Sequence, residues 1–285
     1  MEIAELIRAH SAHLTAAERR VAEAILAAPQ AVGFGTVADL ASSARVGAAS
    51  VVRFAAKLGF DGYSSLQESI QRDLTLQLRP AAERIHEAAS RPSGDHQAIE
   101  FANVQATLDG VSTAALDELV SRLADLERPV AILSGDASRG VATQFVDQLE
   151  QLRPDVVLLH GSAVAVGRCI AVLDDDTTVV LIDLRRYERW ILDAHAAVVD
   201  RGIWSAGLTD SMLSPIASRS DVAFLVRAAS IGPFDSHVGT LSLLNLIAVE
   251  LATALRSSAT DRLARIETGW SDSGALTDEP RRPPG

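Results

Sequence analysis

The sequence predicts two domains of different class: an all-α head over residues 1–78 and an α/β body, a five-stranded parallel sheet flanked by helices, over 97–268. Capping signatures and short apolar stretches at helical spacing fill the head. From about residue 128 onward, apolar runs of four or five residues alternate with helical stretches, as in a sheet buried on both faces. Between the two, Pro80 and the run Arg91-Pro92-Ser93-Gly94-Asp95 break both patterns and mark 79–96 as a linker. Residues 269–285, polar and without periodicity, read as a flexible tail.

In the head, Thr15 and Glu18 form a capping box: the Thr15 hydroxyl meets the Glu18 amide, and the Glu18 carboxylate reaches back to the Thr15 amide. The helix it opens carries Val21, Ile25 and Leu26 on one face and stops before Pro29. Thr36 and Asp39 repeat the pattern and start a shorter helix to about Ser43. Arg45-Val46-Gly47 is a tight break, and Ala48 to Lys57 form the next helix, ended by Gly59. After the turn at Asp61-Gly62, a helix runs from about Tyr63 to Leu78.

In the body, helical patterns over about 97–126 precede the strand runs Val130–Leu133, Asp155–Leu159, Val179–Ile182, Ile203–Ala206 and Val222–Val226. A long apolar helix, about Ser236 to Leu255, closes the domain.

Composition excludes several classes. With 48% hydrophobic residues the chain folds into a core, so it is not a disordered protein. No unbroken apolar run reaches the ~18 residues of a membrane span, and the acidic N-terminus has no signal-peptide core. The lone Cys169 can form no internal disulfide, so a cytoplasmic chain is expected. His10, His13, His86, His96, His160 and His195 are scattered without metal-ligand spacing, and neither metal nor cofactor is expected. The net charge of −11 argues at first against a nucleic-acid partner. Its distribution reverses that: residues 1–77 hold seven basic and eight acidic groups, so the body carries almost all the excess. A near-neutral head binds DNA only if its positive charge gathers on one face.

Helical geometry supplies that face. Each residue turns by ~100°, which places Val51, Phe54, Ala55 and Leu58 in one arc and Ala49, Ser50, Arg53 and Lys57 in another. The first packs under the preceding helix and the second is free to enter a major groove. Small residues at Ala48, Ala49 and Ser50 permit close approach to base edges. The forked Arg53 suits guanine or a phosphate, and Arg45 and Lys57 suit phosphates. Geometry alone leaves a generic three-helix bundle with a solvated face as the other reading.

The head motifs run in order: Leu14, Thr15, Glu18, Arg19, Val21, Ala22, Ile25 and Leu26, then Val37, Leu40 and Ala41, then Val46, Ser50, Val51, Val52, Arg53, Phe54, Lys57, Leu58, Gly59, Phe60, Gly62 and Tyr63. Over about 65 residues they resemble the RpiR/MurR family of transcriptional regulators. The resemblance implies a helix-turn-helix DNA-binding domain at 1–78 and a sugar-isomerase-like (SIS) domain at 97–268 that senses a phosphorylated sugar and dimerises. Gly47 stands where the family usually has a capping Ser, a change expected to cost some helix stability. Ser50 replaces the usual Thr and keeps the hydroxyl.

The body departs further from that family. Ser134-Gly135-Asp136-Ala137-Ser138 only partly matches its Gly-x-Gly-x-Ser loop, although backbone amides there, with Ser138 and Arg139, are placed to hold an anion at a helix start. After the third strand the family's Ser-x-Ser-Gly-x-Thr phosphate loop is replaced by Asp183-Leu184-Arg185-Arg186-Tyr187-Glu188-Arg189. The hydroxyl cradle is gone, and Arg185 and Arg186 either grip a carboxylate or phosphate or pair with acidic neighbours. With Thr209-Asp210, Ser214-Pro215 and Pro233-Phe234-Asp235-Ser236, this loop resembles a subgroup of these regulators. Ser134, Ser138, Arg139, Arg185, Arg186, Tyr187, Ser236 and His237 are therefore the expected effector-binding residues.

The chain is thus expected to bind a palindromic DNA operator as a homodimer or higher oligomer, to respond to a small anionic effector, and to catalyse nothing. The rivals are a sugar-phosphate isomerase with an accessory helical head, which the missing phosphate loop disfavours, and a ligand-binding protein whose head only dimerises.

Overall fold

A computed structural model of the chain describes residues 3–10, 13–78, 82, 84–85, 94–212 and 214–275. Most of the expected linker and residues 276–285 of the expected tail lie outside the described residues. The head contains α1 (Ile3–His10), α2 (Ala16–Ala27), α3 (Pro29–Phe34), α4 (Val37–Ser43), α5 (Ala48–Lys57) and α6 (Tyr63–Leu78). Both capping boxes form with reciprocal hydrogen bonds, Thr15 with Glu18 and Thr36 with Asp39. The Asp39 carboxyl is held below its usual range by the Thr36 hydroxyl and amide. α2 stops before Pro29 as expected, and Pro29 itself occupies the first turn of the short α3, where a missing N–H costs nothing.

The α4–α5 turn is a Schellman motif: Val46 N donates to Ala41 O at 2.9 Å and Arg45 N to Ser42 O at 3.1 Å. Arg45 sits there with φ +53°, where glycine is usual, so its backbone carries a small conformational cost. Arg20 Nε braces the turn by donating to Ala44 O at 3.2 Å. A second Schellman motif, with Gly59 at φ +91°, ends α5 and folds Phe60 back onto the head. The head core joins Ile3, Val21, Ile25, Leu40, Val51, Phe54, Leu66 and Ile70.

The body contains α7 (Gly94–Asp109), α8 (Thr113–Ala124), β1 (Val130–Ser134), a 3-10 turn (Asp136–Ser138), α9 (Arg139–Leu152), β2 (Val156–Leu159), α10 (Ala163–Ala171), β3 (Thr178–Ile182), α11 (Arg189–Asp200), β4 (Ser205–Thr209), β5 (Val222–Leu225) and α12 (Val238–Ser273). The strands form one parallel sheet in the order β2-β1-β3-β4-β5. Alternation along the strands splits the core in two. Val130, Ile132, Val180, Ile182, Leu208 and Phe224 face α8, α9 and α12. Ala131, Leu133, Val179 and Leu181 face α10 and α11.

Several boundaries differ from the sequence reading: α7 begins at Gly94, inside the expected linker, and β4 and the final helix are shifted. β4 begins at Ser205, because Ile203 and Trp204 are buried in the turn that enters it. The final helix, expected to close near Leu255, continues to Ser273, so residues 269–273 of the expected tail are helical. Leu255, Ala259, Leu263, Ile266 and Trp270 carry the apolar stripe onward at helical spacing, and Ala259 is buried. Arg256 departs from helical geometry and kinks α12. One stretch of α12 is long and apolar enough to cross a membrane by composition. Its Leu243, Leu244, Ile247 and Leu251 are fully buried in the body's core, which marks it as a core helix.

Side chains of α7 continue the sheet past β5: Asn103 donates to Ala229 O at 2.8 Å and accepts from Ala229 N at 3.1 Å. Thr107 Oγ1 accepts from Arg227 N at 2.9 Å. Body and head meet at Met212, from the segment after β4, which packs against the head's core.

Candidate functional site

The two expected arcs of α5, one buried and one facing outward, are present. Within α5, Val51, Phe54 and Ala55 are fully buried, while Ala48, Ala49 and Arg53 are exposed. Arg53 Nη2 donates to Ser50 Oγ at 2.9 Å, holding both groups on the outer face. Gly47 caps the helix without a side-chain bond, and within the first turn Ser50 N donates to Gly47 O at 2.8 Å. Arg45 is exposed on the preceding turn.

Lys57 is placed differently from the expectation of a phosphate contact. Its ammonium donates to His13 O at 2.6 Å and to Glu18 Oε2 at 2.8 Å, tying α5 to the α2 capping box. The Lys57 bond leads the causes that hold the Glu18 carboxyl below its ordinary range. The pair is part-exposed, with side chains 31% and 15% accessible, so it adds only modest stability. Lys57→Ala is expected to lower the head's unfolding free energy by about 0.5–1 kcal/mol. It should leave the salt dependence of DNA retention unchanged; a log–log salt slope smaller by about 1 would return Lys57 to phosphate contact.

In the body, the C-terminal ends of β1 and β3 are where the chain turns to opposite faces, α9 on one and α11 on the other. In an open parallel sheet this is the switch point at which a ligand crevice opens. The structure brings the two expected loops together there. Glu188 Oε1 accepts from Asp136 N at 2.6 Å, and Trp190 Nε1 holds the other Glu188 oxygen. A Cβ on Gly135 would fall 2.5 Å from Asp183 Oδ1, so only glycine allows the loops this close. The amide expected to receive an effector's anion is therefore occupied by the chain's own Glu188 carboxylate.

Asp183 is 3% exposed, and its oxygens accept from Leu184 N at 3.0 Å and Glu188 N at 3.2 Å. Burial, reinforced by the charges of Glu188 and Asp210, pushes its carboxyl up to about 7 against those two bonds. The folded chain thus holds this proton more tightly than the unfolded chain. The resulting stabilisation is complete below pH 3.8 and is lost as pH rises through about 7. A shift of this size corresponds to about 4 kcal/mol. Wild-type stability, followed by chemical denaturation, is expected to fall between about pH 4 and 7, and Asp183→Asn should flatten that slope. An unchanged slope would remove Asp183 as its source.

The other expected residues divide. Ser134 and Ser138 are 3% and 1% exposed, and their hydroxyls have no partner among the described residues. Burial holds the half-buried His237 below its ordinary value; it bonds the Ala137 backbone, and its Nδ1 is likewise unpartnered. Arg139 is exposed and loosely paired with Asp136 at 3.4 Å. Arg186 is exposed at φ +67°, with no pairing among the described residues. Four of these five keep a polar group without a partner among the described residues, buried in Ser134, Ser138 and His237 and exposed in Arg186.

Arg185, Tyr187 and Ser236 are engaged within the protein. Arg185 Nε donates to Asp235 Oδ1 at 2.8 Å. The Tyr187 hydroxyl donates to Asp210 Oδ1 at 2.8 Å, and burial and then Asp210 push that phenol well above its usual range. Burial likewise raises Asp210 against the pull of Tyr187 and Arg185. Ser236 Oγ donates to Glu100 Oε2 at 2.5 Å. Glu188, Asp210 and Asp235, quoted from sequence only as parts of motifs, and Glu100 and Arg84, not singled out at all, thus shape the site.

Residues 1–77 match the family model described as a helix-turn-helix domain of the rpiR family, and residues 130–250 match the SIS domain. The HTH-type transcriptional regulator HexR of Escherichia coli (strain K12) is 23% identical over 280 residues, 96% of either chain. HexR of Pseudomonas aeruginosa is 27% identical over 255 residues, covering 86% of this chain and 87% of that one. Among solved structures, the sugar isomerase domain of an RpiR transcription factor from Sphaerobacter thermophilus superposes with TM-score 0.56 at 24% identity, over 61% of this chain and 97% of that one. The Vibrio vulnificus NanR protein complexed with ManNAc-6P does so at 0.56 and 18% identity, over 96% and 99%. With its capped reading helix, its parallel-sheet body and both family models in order, the chain belongs to the RpiR family of helix-turn-helix transcriptional regulators carrying a SIS domain.

Proposed function

We propose that the chain binds a palindromic double-stranded operator as a homodimer and that a small anionic, carbohydrate-derived effector in the β1–β3 crevice modulates this binding. The observation that carries the reading is the face formed by exposed Ala48, Ala49 and Arg53 with half-buried Ser50, on a helix whose other side is the head's core. Arg53 contacts a base or phosphate, Arg45 a phosphate from the turn, and the small residues admit the helix to the groove. One head reads only a few base pairs, so two-fold pairing of bodies doubles the site. In the crevice, Arg186 and Arg139 attract the anion, while Ser134, Ser138 and His237 bond the effector's hydroxyls. The chain works in the cytoplasm and catalyses no reaction.

The isomerase reading draws on one observation, the near-neutral Asp183 carboxyl at the crevice. That carboxyl is buried, with both oxygens on backbone amides, so it is poorly placed to take a substrate proton. Sequencing genomic fragments retained by the purified chain tests the regulator reading. Enrichment of one inverted repeat, released by a hexose phosphate or a sugar acid, is expected. Fragments sharing no sequence, together with turnover of a sugar phosphate, would replace the regulator by the enzyme.

A further inference from the structure

The segment after β5, residues 228–237, is anchored to the body: Asn103 grips Ala229, and Ser236 bonds Glu100. It carries Asp235, on which two arginines from different parts of the chain converge. Arg84, from the stretch between α6 and α7, places Nη1 2.6 Å from Asp235 Oδ1 and donates through Nη2 to Pro233 O. Arg185, from the crevice loop after β3, places Nε at 2.8 Å and Nη2 at 2.5 Å from the same oxygen. The three side chains are only 18%, 18% and 22% exposed, so their charges are weakly screened. Burial pushes Asp235 up, but Arg185 and Arg84 together hold it below its ordinary range.

Two cations share one anion here. Each arginine is attracted by Asp235 and repelled by the other, so each hold weakens the other. Asp210, the nearby carboxyl that feels both Arg185 and Asp235, only partly offsets this, because burial raises it toward its neutral form.

The geometry points to Asp235 as a shared latch through which the crevice communicates with the segment leading to the DNA-binding head. When an anion in the crevice draws or neutralises Arg185, Asp235 is left to Arg84 and holds it more tightly. When Arg84 is pulled away, Arg185 is held more tightly. The linkage is reciprocal and antagonistic. The latch deepens the reading of the crevice as an effector site and rests on it for its biological use; its physical operation needs neither effector nor DNA.

Hydrogen exchange on the full-length chain tests it, because a latch changes local opening at a distance. Asp235→Asn is expected to speed amide exchange across residues 82–85 by about tenfold, and Arg185→Gln, which removes charge but keeps an N–H donor, to slow it about threefold or more. Arg84→Gln should in turn slow exchange across residues 183–188. A purely structural cluster would loosen with every substitution, so faster or unchanged exchange at 82–85 in Arg185→Gln overturns the latch. Tryptophan-monitored denaturation of each variant shows that the body is folded. DNA retention measured in parallel separates the two ideas. Loss of retention by the wild type would defeat the regulator reading, while the exchange pattern decides the latch by itself.

Discussion

Phe54→Ala is expected to abolish DNA binding by melting the head while leaving the body intact. Phe54 is fully buried beneath the reading helix, among Val51, Ala55, Leu58 and the residues of α2 and α4. Truncating a buried phenylalanine costs about 3–5 kcal/mol, transfer and cavity terms together. A small domain has a total stability of only about 5–15 kcal/mol, so little would remain. The chain reports the two parts separately, because Trp190, Trp204 and Trp270 all lie in the body. Helical circular dichroism should drop while the tryptophan unfolding midpoint stays in place. A joint shift of both signals would show that head and body unfold as one unit.

Gly239→Ala is expected to have the complementary effect. Gly239 lies in the first turn of α12, pressed against the end of β5 and against α7. An added Cβ would lie 2.6 Å from Arg227 O, 2.7 Å from Thr107 Oγ1 and 3.3 Å from Asn103 O. Two of these are backbone atoms, and Thr107 Oγ1 already accepts from Arg227 N, so no flexible side chain can simply step aside. The helix must shift outward, at a cost of about 1–3 kcal/mol for an overpacked site. The tryptophan midpoint should fall, and the loop holding Asp235 and Ser236 should loosen with it. An unchanged midpoint would show that α12 moves freely at its start, contrary to the anchoring described here.

These effects separate what local sequence encodes from what it does not. The Thr15–Glu18 and Thr36–Asp39 boxes, the Gly59 stop and the two arcs of α5 were legible because each depends on residues within a turn or two of one another. The alternation of strands and helices was legible for the same reason. The stop before Pro29 was legible, but the short helix that Pro29 opens was not, because proline both ends one helix and begins the next. The extension of α12 was hidden because charged residues interrupt the stripe from Leu255 to Trp270 without leaving its exposed side.

The meeting of the two loops after β1 and β3 was legible in position and only partly in chemistry. These loops follow β1 and β3 as expected, but the partners inside the crevice are remote in sequence. Glu188 fills the Asp136 amide from 52 residues away, and Asp235 reaches Arg185 across 50. Pairing at that range depends on sheet order, which no local pattern carries. The choice left open for the arginine pair thus divides between its members: Arg185 pairs inside the protein, and Arg186 stays exposed at the rim.

The central claim is that the head reads DNA through one exposed face of α5, and Arg53 is its single long, unburied cation. The most direct test is the affinity of wild-type and Arg53→Ala chains for one enriched operator fragment at the same salt concentration. Loss of a base or charged-phosphate contact of about 1–3 kcal/mol predicts binding weaker by about tenfold to a hundredfold, with circular dichroism and the tryptophan midpoint unchanged. Equal affinity of the two chains would contradict the account.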